Sequence, residues 1–407
     1  MTNVEFKASV YEGSDWLHIV ADSKAAYGKQ TVKVTVDPYT EYDGERTGEI
    51  KFEVSGEVIP DGVAYYTISQ NGPSTKLWGI DLSSVMNHVA SYNTAAATPE
   101  TVSTMASMAL FNGDLVVCAG DGSKPVILDK KTGAKKGELS TGDVVPYTIT
   151  NDDAGNLILS NRVWNYWTTY TFFTIWYMKP GDTAPTQLIT TKEYYPSYVG
   201  YALSVRGDVT KNAVIVTPKE GGGYGCNTVL AYEIANGAES SHKEITLTGF
   251  TGISWLEGYW TGAPSNCPAI ALLGTGLSAG FIMGCYDENT PYYVKADGTC
   301  TKLTASAIIG SNNNFNNADI RTVGNTMYAV AAADTYFDYA TPEVKVMDGS
   351  SLSVIYTAQT KNYTETLINN YGADATLEAT DGGLNIYYIA NNACAIEAFF
   401  VPITAVK

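Results

Sequence analysis

The sequence predicts an all-β protein in two parts, a small immunoglobulin-like β-sandwich over residues 1–58 and a β-propeller over residues 59–407. Three observations predict it. Tyr (29) far outnumbers Phe (11), Gly reaches 38, and only 16% of residues are charged, a composition that favours strands and turns over helices. The N-terminal stretch reads as short strands of strict alternation. From about residue 60 a unit of roughly fifty residues recurs, each an apolar strand, a turn, a second strand, a longer loop and a third strand.

In the first part, "TVKVTVD" (31–37) and "EIKFEVSG" (49–56) alternate with period two. Between them Pro38, Asp43 and Gly44 supply turn chemistry. Trp16, in "DWLHIV", falls at an inward-facing position and is expected to be core. The run "SDWLHIV" followed by "TVKVTVDPYTEYDGERTGEIKF" resembles a BACON module. The resemblance rests on Trp16-Leu17, the Thr31–Val36 strand, and Arg46-Thr47-Gly48 followed by Ile50. The sequence departs from the family where "DPY" replaces the usual asparagine and where the module's first strands are shortened. The resemblance implies an immunoglobulin-like fold and a surface, secreted or lipoprotein setting in the Bacteroidetes. The location it implies is the extracellular face of the outer membrane or the periplasm. The family was named for a suggested carbohydrate-binding role, but its members often look like spacers, and a spacer is expected here.

In the second part, "MASMALFNGDLVVCAGDGSKPVILDKKTGAKKGEL" (105–139) is the clearest unit. Others begin at "VPYTITNDDAGNLILSN" (145–161), "YALSVRGDVTKNAVIVTP" (201–218), "SWLEGYW" (254–260), "IRTVGNTMYAVAAA" (320–333) and "ATLEATDGGLNIYYIANN" (375–392). "VAYYTIS" and "KLWGIDLS" read as two propeller strands ahead of the first full unit. Turns such as "NGD", "DDAGN" and "DGG" between paired strands are those of propeller blades. The strand that ends in Asp before a Lys-Thr-Gly turn resembles the seven-bladed propeller repeat. Five full units with two partial ends predict seven blades; six follow if the N-terminal strands close the last blade. "LSSVMNHVASY" (82–92) allows one helical turn.

Propeller topology sorts the loops: those between second and third strands, and the crossings between blades, open on one face. "NRVWNYWTTYTFFTIWYM" (161–178) packs three Trp, three Tyr and two Phe. Its second half is expected to be a third strand with Phe173, Ile175 and Tyr177 on one core side and Phe172, Trp176 and Met178 on the other. Its first half is loop. The loop face therefore gathers Trp164, Tyr166, Trp167, Tyr194, Tyr195, Trp255, Tyr259, Trp260, Phe315, Tyr336 and Phe337. Flat rings interleaved with amides and hydroxyls suit sugar faces and their hydroxyls, and the same residue types serve protein partners.

The remaining features exclude more than they assign. A formal charge of −17 argues against nucleic acid. No run of eighteen apolar residues and no signal peptide is visible. The three histidines (His18, His88, His242) stand apart, so a histidine metal centre is not expected, nor is a cofactor. No GxSxG, HExxH, P-loop or sialidase box occurs. Glu193, Glu257, Asp334 and Asp338 on the loop face are the acidic residues available to a glycosidase. "NDDAGN" (151–156) is read as a tight turn rather than a calcium loop. Cys118 reads as a buried strand residue, and one bridge among Cys267, Cys285 and Cys300 is conceivable from spacing. The expectation is a monomeric, non-catalytic glycan-binding surface protein. The alternatives are an envelope protein-interaction scaffold and a propeller glycoside hydrolase or lyase.

Overall fold

The computed structural model describes residues 6–20, 31–37, 45–54, 63–71, 76–85, 107–120, 122–163, 171–193, 198–220, 227–250, 269–284, 291–303, 313–323, 326–335, 343–348, 354–359, 373–380, 382–390 and 395–402. The chain divides into two compact units, Met1–Thr75 and Lys76–Lys407.

The first unit contains β1 (Phe6–Glu12), β2 (Leu17–Ile19), β3 (Val34–Val36), β4 (Glu45–Val54) and β5 (Val63–Asn71). β1, β4 and β5 form one antiparallel sheet with β4 central, and β2 pairs with β3. Trp16, Leu17 and Ile50 are buried between these layers. Trp16 is thus core, and the Arg-Thr-Gly motif exists to hold it. The Arg46 guanidinium stacks 4.3 Å from the Trp16 ring and donates from Nε and Nη2 to Gln70 Oε1. A Cβ on Gly48 would come within 2.9 Å of Trp16 Cζ2 and of the Glu12 carbonyl, so only glycine fits beneath the indole. "VAYYTIS" belongs here rather than to the propeller, because β5 pairs with β4 over its whole length. The sequence boundary at 58 falls before this strand, whereas the compact units part between Thr75 and Lys76.

The second unit opens with β6 (Lys76–Asp81) and a 3₁₀ turn, Leu82–Ser84. Blade one holds β7 (Ser107–Phe111), β8 (Asp114–Cys118), β9 (Val126–Leu128) and β10 (Lys135–Glu138). Blade two holds β11 (Thr148–Asn151), β12 (Leu157–Ser160), β13 (Thr171–Met178) and β14 (Thr186–Glu193). Blade three holds β15 (Tyr198–Val199), β16 (Ser204–Gly207), β17 (Asn212–Glu220), β18 (Thr228–Ala235) and β19 (Ala238–Thr246). Blade four holds β20 (Ile270–Leu272), β21 (Phe281–Met283), β22 (Tyr292–Val294) and β23 (Cys300–Lys302). Blade five holds β24 (Asn313–Val323), β25 (Thr326–Thr335), β26 (Glu343–Asp348) and β27 (Val354–Gln359). Blade six holds β28 (Ala373–Thr380), β29 (Gly383–Ala390), β30 (Ala395–Pro402) and, as its outermost strand, β6.

Among the described residues the innermost strands neighbour one another in the order β7, β11, β16, β20, β24, β28 and back to β7, a ring that closes with six blades. The expected seven is corrected to six. β6 does not start a blade but completes the sixth by pairing with β30, and β5 lies outside the propeller. The unit expected to begin at residues 254–260 starts outside the described residues, and the described strands of blade four begin at Ile270.

The core is a set of blade-to-blade seams. Blades one and two meet through Phe111, Val116, Leu159 and Met178. Blades two and three meet through Phe173, Ile175, Val205, Ile215 and Tyr232. The aromatic strand β13 therefore feeds both seams, with Phe173 and Ile175 toward blade three and Met178 toward blade one, as its alternation predicts. Phe172 is the exception. It stands 51% exposed near the start of the strand. Cys118 is buried as expected, and Cys300 carries a free thiol.

At the end where inner strands finish, two turns lock blade two to blade three. "NDDAGN" is a tight turn: Asp152, only 1% exposed, accepts from the amides of Ala154 and Asn156 at Oδ1. Its Oδ2 accepts from Asn156 Nδ2 and the Val209 amide. Asp153 takes Arg206 Nε at 3.0 Å. In the facing turn Asp208 accepts from Lys211 Nζ, Thr210 Oγ1 and the Thr210 amide, which hold its carboxyl at about 2 against an ordinary 3.8. A depressed carboxyl stabilises the fold above its unfolded value and loses that stabilisation as pH falls through its folded value. Urea unfolding of the propeller between pH 5 and pH 2 should therefore lose on the order of 1 kcal/mol more in wild type than in Asp208→Asn, after allowance for solvent screening. Parallel pH profiles for the two proteins would remove this role.

Candidate functional site

Within each blade the strands alternate in direction, so one face collects the starts of the inner strands, the loops between second and third strands and the crossings between blades. We call it the upper face. At this end four of the inner strands carry a short polar residue, Ser107 in β7, Thr148 in β11, Ser204 in β16 and Asp374 in β28, whereas β20 opens on the buried Ile270. These side chains stitch the ring together. Ser107 Oγ accepts from the Ile149 amide at 2.9 Å, Ser204 Oγ from the Leu272 amide at 2.9 Å, and Asp374 Oδ2 from the Met108 amide at 2.7 Å. Asp374 Oδ1 also accepts from the Ala375 amide. Thr148 Oγ1 donates to the Gly200 carbonyl at 2.6 Å. Inner-strand amides that have no partner in their own sheet are thereby satisfied by the preceding blade, which buried backbone groups require.

Thr148, Thr150, Ser204, Asp374 and Thr376, together with Met108, line a polar channel on the axis. Between these side chains the free space is about that of a water molecule.

Beside the mouth, the end of β12 and the start of blade three are clasped together. Val163 and Val199 exchange both backbone hydrogen bonds, at 2.9 and 3.2 Å. Asn161 closes the root of the β12–β13 connection, donating to the Phe172 carbonyl and accepting from the Thr174 amide. Gly200, at φ +90°, lies so close that a Cβ would sit 2.4 Å from the Asn161 carbonyl. Arg162, 9% exposed, donates to the carbonyls of Gly120 and Tyr147. Its guanidinium lies 4.6 Å from the Tyr201 ring and 5.6 Å from the Tyr147 ring. One cation thus joins blades one, two and three at the upper face, by cation–π contact as well as hydrogen bonding.

The predicted site residues belong to four connecting segments. Trp164, Tyr166 and Trp167 lie in the segment between β12 and β13, and Tyr194 and Tyr195 between β14 and β15. Trp255, Tyr259 and Trp260 lie between β19 and β20, and Tyr336 and Phe337 between β25 and β26. All ten lie outside the described residues. The strand ends that flank the four segments all belong to the upper face, as the topological argument requires. Phe315 is a correction: it sits within β24, paired with Ala333, and not in a crossing loop. Arg162, Asn161 and the polar heads of the inner strands escaped the sequence reading. The signal for the latter was present in part, a Ser, Thr or Asp at the start of β7, β11, β16 and β28 but not of β20. Arg162 carried none, since its partners are distant carbonyls. Among the described residues no group of three His, Cys, Asp or Glu side chains is placed to hold a metal.

The architecture defines an immunoglobulin-like BACON module followed by a six-bladed propeller. The N-terminal part matches the BACON family, described as a putative binding domain, over residues 6–71. The chain belongs to the family described as a domain of unknown function, DUF8500, whose model matches residues 92–401. Among solved structures, a DUF4623 family protein from Bacteroides eggerthii is 12% identical, with 96% of this chain and 87% of that chain covered and a TM-score of 0.52. A protein of unknown function from Bacteroides thetaiotaomicron is 11% identical, with 98% of each chain covered and a TM-score of 0.45. An α-L-arabinanase from Penicillium chrysogenum complexed with arabinobiose is 9% identical, covering 79% and 99%, with a TM-score of 0.46. These likenesses concern the fold alone. No curated protein matches the sequence.

Proposed function

We propose that this protein is a non-catalytic glycan-binding protein of the bacterial cell surface or periplasm, with the BACON module as spacer and the propeller's upper face as the sugar site. The observation that carries the reading is the concentration of Trp and Tyr in segments whose flanking strands all end at one face, above a rigid ring of hydrogen-bonded inner strands. Sugar rings stack on flat aromatic side chains, and asparagines interspersed among them take hydroxyls. The envelope setting rests on the BACON match, and no helix among the described residues is long and apolar enough to cross a membrane.

The test is a glycan array followed by calorimetry with the full chain. Plant, host or microbial glycans should bind, and the Trp164→Ala, Trp167→Ala double variant should bind about tenfold or more weakly with an unchanged melting temperature. No binding to any glycan class removes the reading. Release of reducing ends from a bound glycan, abolished by changing Glu193 or Glu257, would replace it with a hydrolase.

A further inference from the structure

Two of the four aromatic segments are tied to each other at both ends. The first, residues 164–170, runs from Val163 to Thr171, the first residue of β13. The second, residues 194–197, runs from Glu193, the last residue of β14, to Tyr198 and Val199 in β15. Thr171 is the register partner of Glu193, and Val163 is bridged to Val199. The two segments are therefore opposite sides of one closed backbone frame. At full extension the side from Glu193 to Val199 reaches about 22 Å. The segment with Tyr336 and Phe337, by contrast, joins β25 to β26 within a single sheet, where Ala333 pairs with Glu343. Between its anchors the frame carries Trp164, Tyr166, Trp167, Tyr170, Tyr194 and Tyr195, interleaved with amide and hydroxyl residues and with no Asp, Glu, Lys or Arg.

We infer that this frame is one subsite for an uncharged sugar and that Arg162 is the residue that positions it; the inference rests on the glycan-binding reading above. Closure at both ends decides which rings share a ligand, because segments cross-linked twice cannot part beyond the span of their frame. Composition decides the class of sugar. A sugar carboxylate or sulfate asks for a cation beside it, and neither side of the frame supplies one. Arg162 does not supply one either: it is 9% exposed and donates to the carbonyls of Gly120 and Tyr147. Its role follows from its place. It adjoins the anchor Val163, and its guanidinium against the Tyr147 and Tyr201 rings ties that corner to its neighbours. Asn161 ties the same corner to β13 through the Phe172 carbonyl and the Thr174 amide. A frame held in this way is ordered before the ligand arrives, and a loosened one pays that ordering cost on binding.

Calorimetry of the full chain with the tightest-binding oligosaccharide from the array tests this. That ligand should be neutral, and its affinity should hold within about twofold between about 50 and 500 mM salt. Tyr194→Ala with Tyr195→Ala should weaken binding about tenfold or more, as Trp164→Ala with Trp167→Ala does, whereas Trp255→Ala should cost at least about threefold less than either. Arg162→Lys keeps the charge but not the paired donation. It should weaken binding about fivefold or more at a temperature where near-ultraviolet circular dichroism shows a folded propeller. In the Trp164→Ala, Trp167→Ala background the same change should cost less than about twofold, because a positioning residue acts through the rings it places. Should R162K not fold, Asn161→Ala loosens the same corner and takes its place in both backgrounds. Three results overturn the inference while glycan binding itself stands: a Trp255→Ala loss equal to the frame losses, a uronic or sulfated ligand whose binding fades with salt, or a lysine effect that multiplies unchanged in the double background. A protein that binds no glycan loses both this inference and the reading beneath it.

Discussion

Trp78→Ala is expected to lower the unfolding free energy of the propeller by about 3–5 kcal/mol, the range for deleting a buried indole. The size follows from where β6 sits. A propeller is a ring, and its sixth sheet is finished by a strand that enters from the N-terminal side, with Ile80 paired to Ile396 and Trp78 to Ala398. Trp78 is 9% exposed, donates Nε1–H to the Lys130 carbonyl at 2.8 Å, and packs 6.4 Å from the Tyr387 ring. Gly133, at φ +74°, has no Cβ because one would come within 2.6 Å of the indole. The same seam is held by Lys130 and the Tyr387 hydroxyl, both on Glu378 at 2.7 and 2.8 Å. Burial, with the hydrogen bond to Glu378, pushes the Tyr387 phenol above its usual range. Lys76 pairs with the fully buried Glu397 at the strand's start. Removing the indole empties the centre of this closure and strands a carbonyl. Trp78→Phe keeps most of the ring and should cost about 1–2 kcal/mol, chiefly the lost hydrogen bond. Urea unfolding followed by near-ultraviolet circular dichroism measures both. A Trp78→Ala loss under about 1 kcal/mol would mean that blade six does not depend on β6.

That seam also marks the limit of what the sequence could tell. Features set by local chemistry were legible. Period-two alternation located β13 and sorted Phe173 and Ile175 from Met178. "NDDAGN" announced its turn through Asp and Gly, and Trp16 is core as expected, although from the turn before β2 and not from a strand position. Features set by pairing between remote strands were not legible. "VAYYTIS" and "KLWGIDLS" have the same strand chemistry and adjoin in sequence, yet one pairs with β4 and the other with β30, more than three hundred residues away. No property of either segment encodes that division, and the blade count went with it. For the candidate site, connectivity alone placed the aromatic segments on one face. The clasp beneath them was invisible because Arg162 is held by carbonyls and rings contributed by three blades.

Asp152→Ala should rank with Trp78→Ala, at about 3–5 kcal/mol, although it removes only a carboxylate. The cost lies in what is left behind. Asp152 is 1% exposed and serves four donors within and between two turns. Alanine leaves the Asn156 and Val209 amides without this acceptor where water has little access, and each buried donor so abandoned costs about 1–3 kcal/mol. Asp152→Asn separates shape from charge. The asparagine Oδ1 can still accept from the amides of Ala154 and Asn156, but its Nδ2 then confronts the Asn156 amide group and the Val209 N–H, donor against donor. Asparagine should therefore rescue only part of the loss. If instead it restores wild-type stability, the second carboxylate oxygen is not what ties blade two to blade three. Because the latch lies at the face opposite the aromatic segments, neither variant should change glycan affinity at temperatures where the propeller is folded. A binding loss that appears while the fold is intact would place the ligand on the lower face and move the site to the other end of the ring.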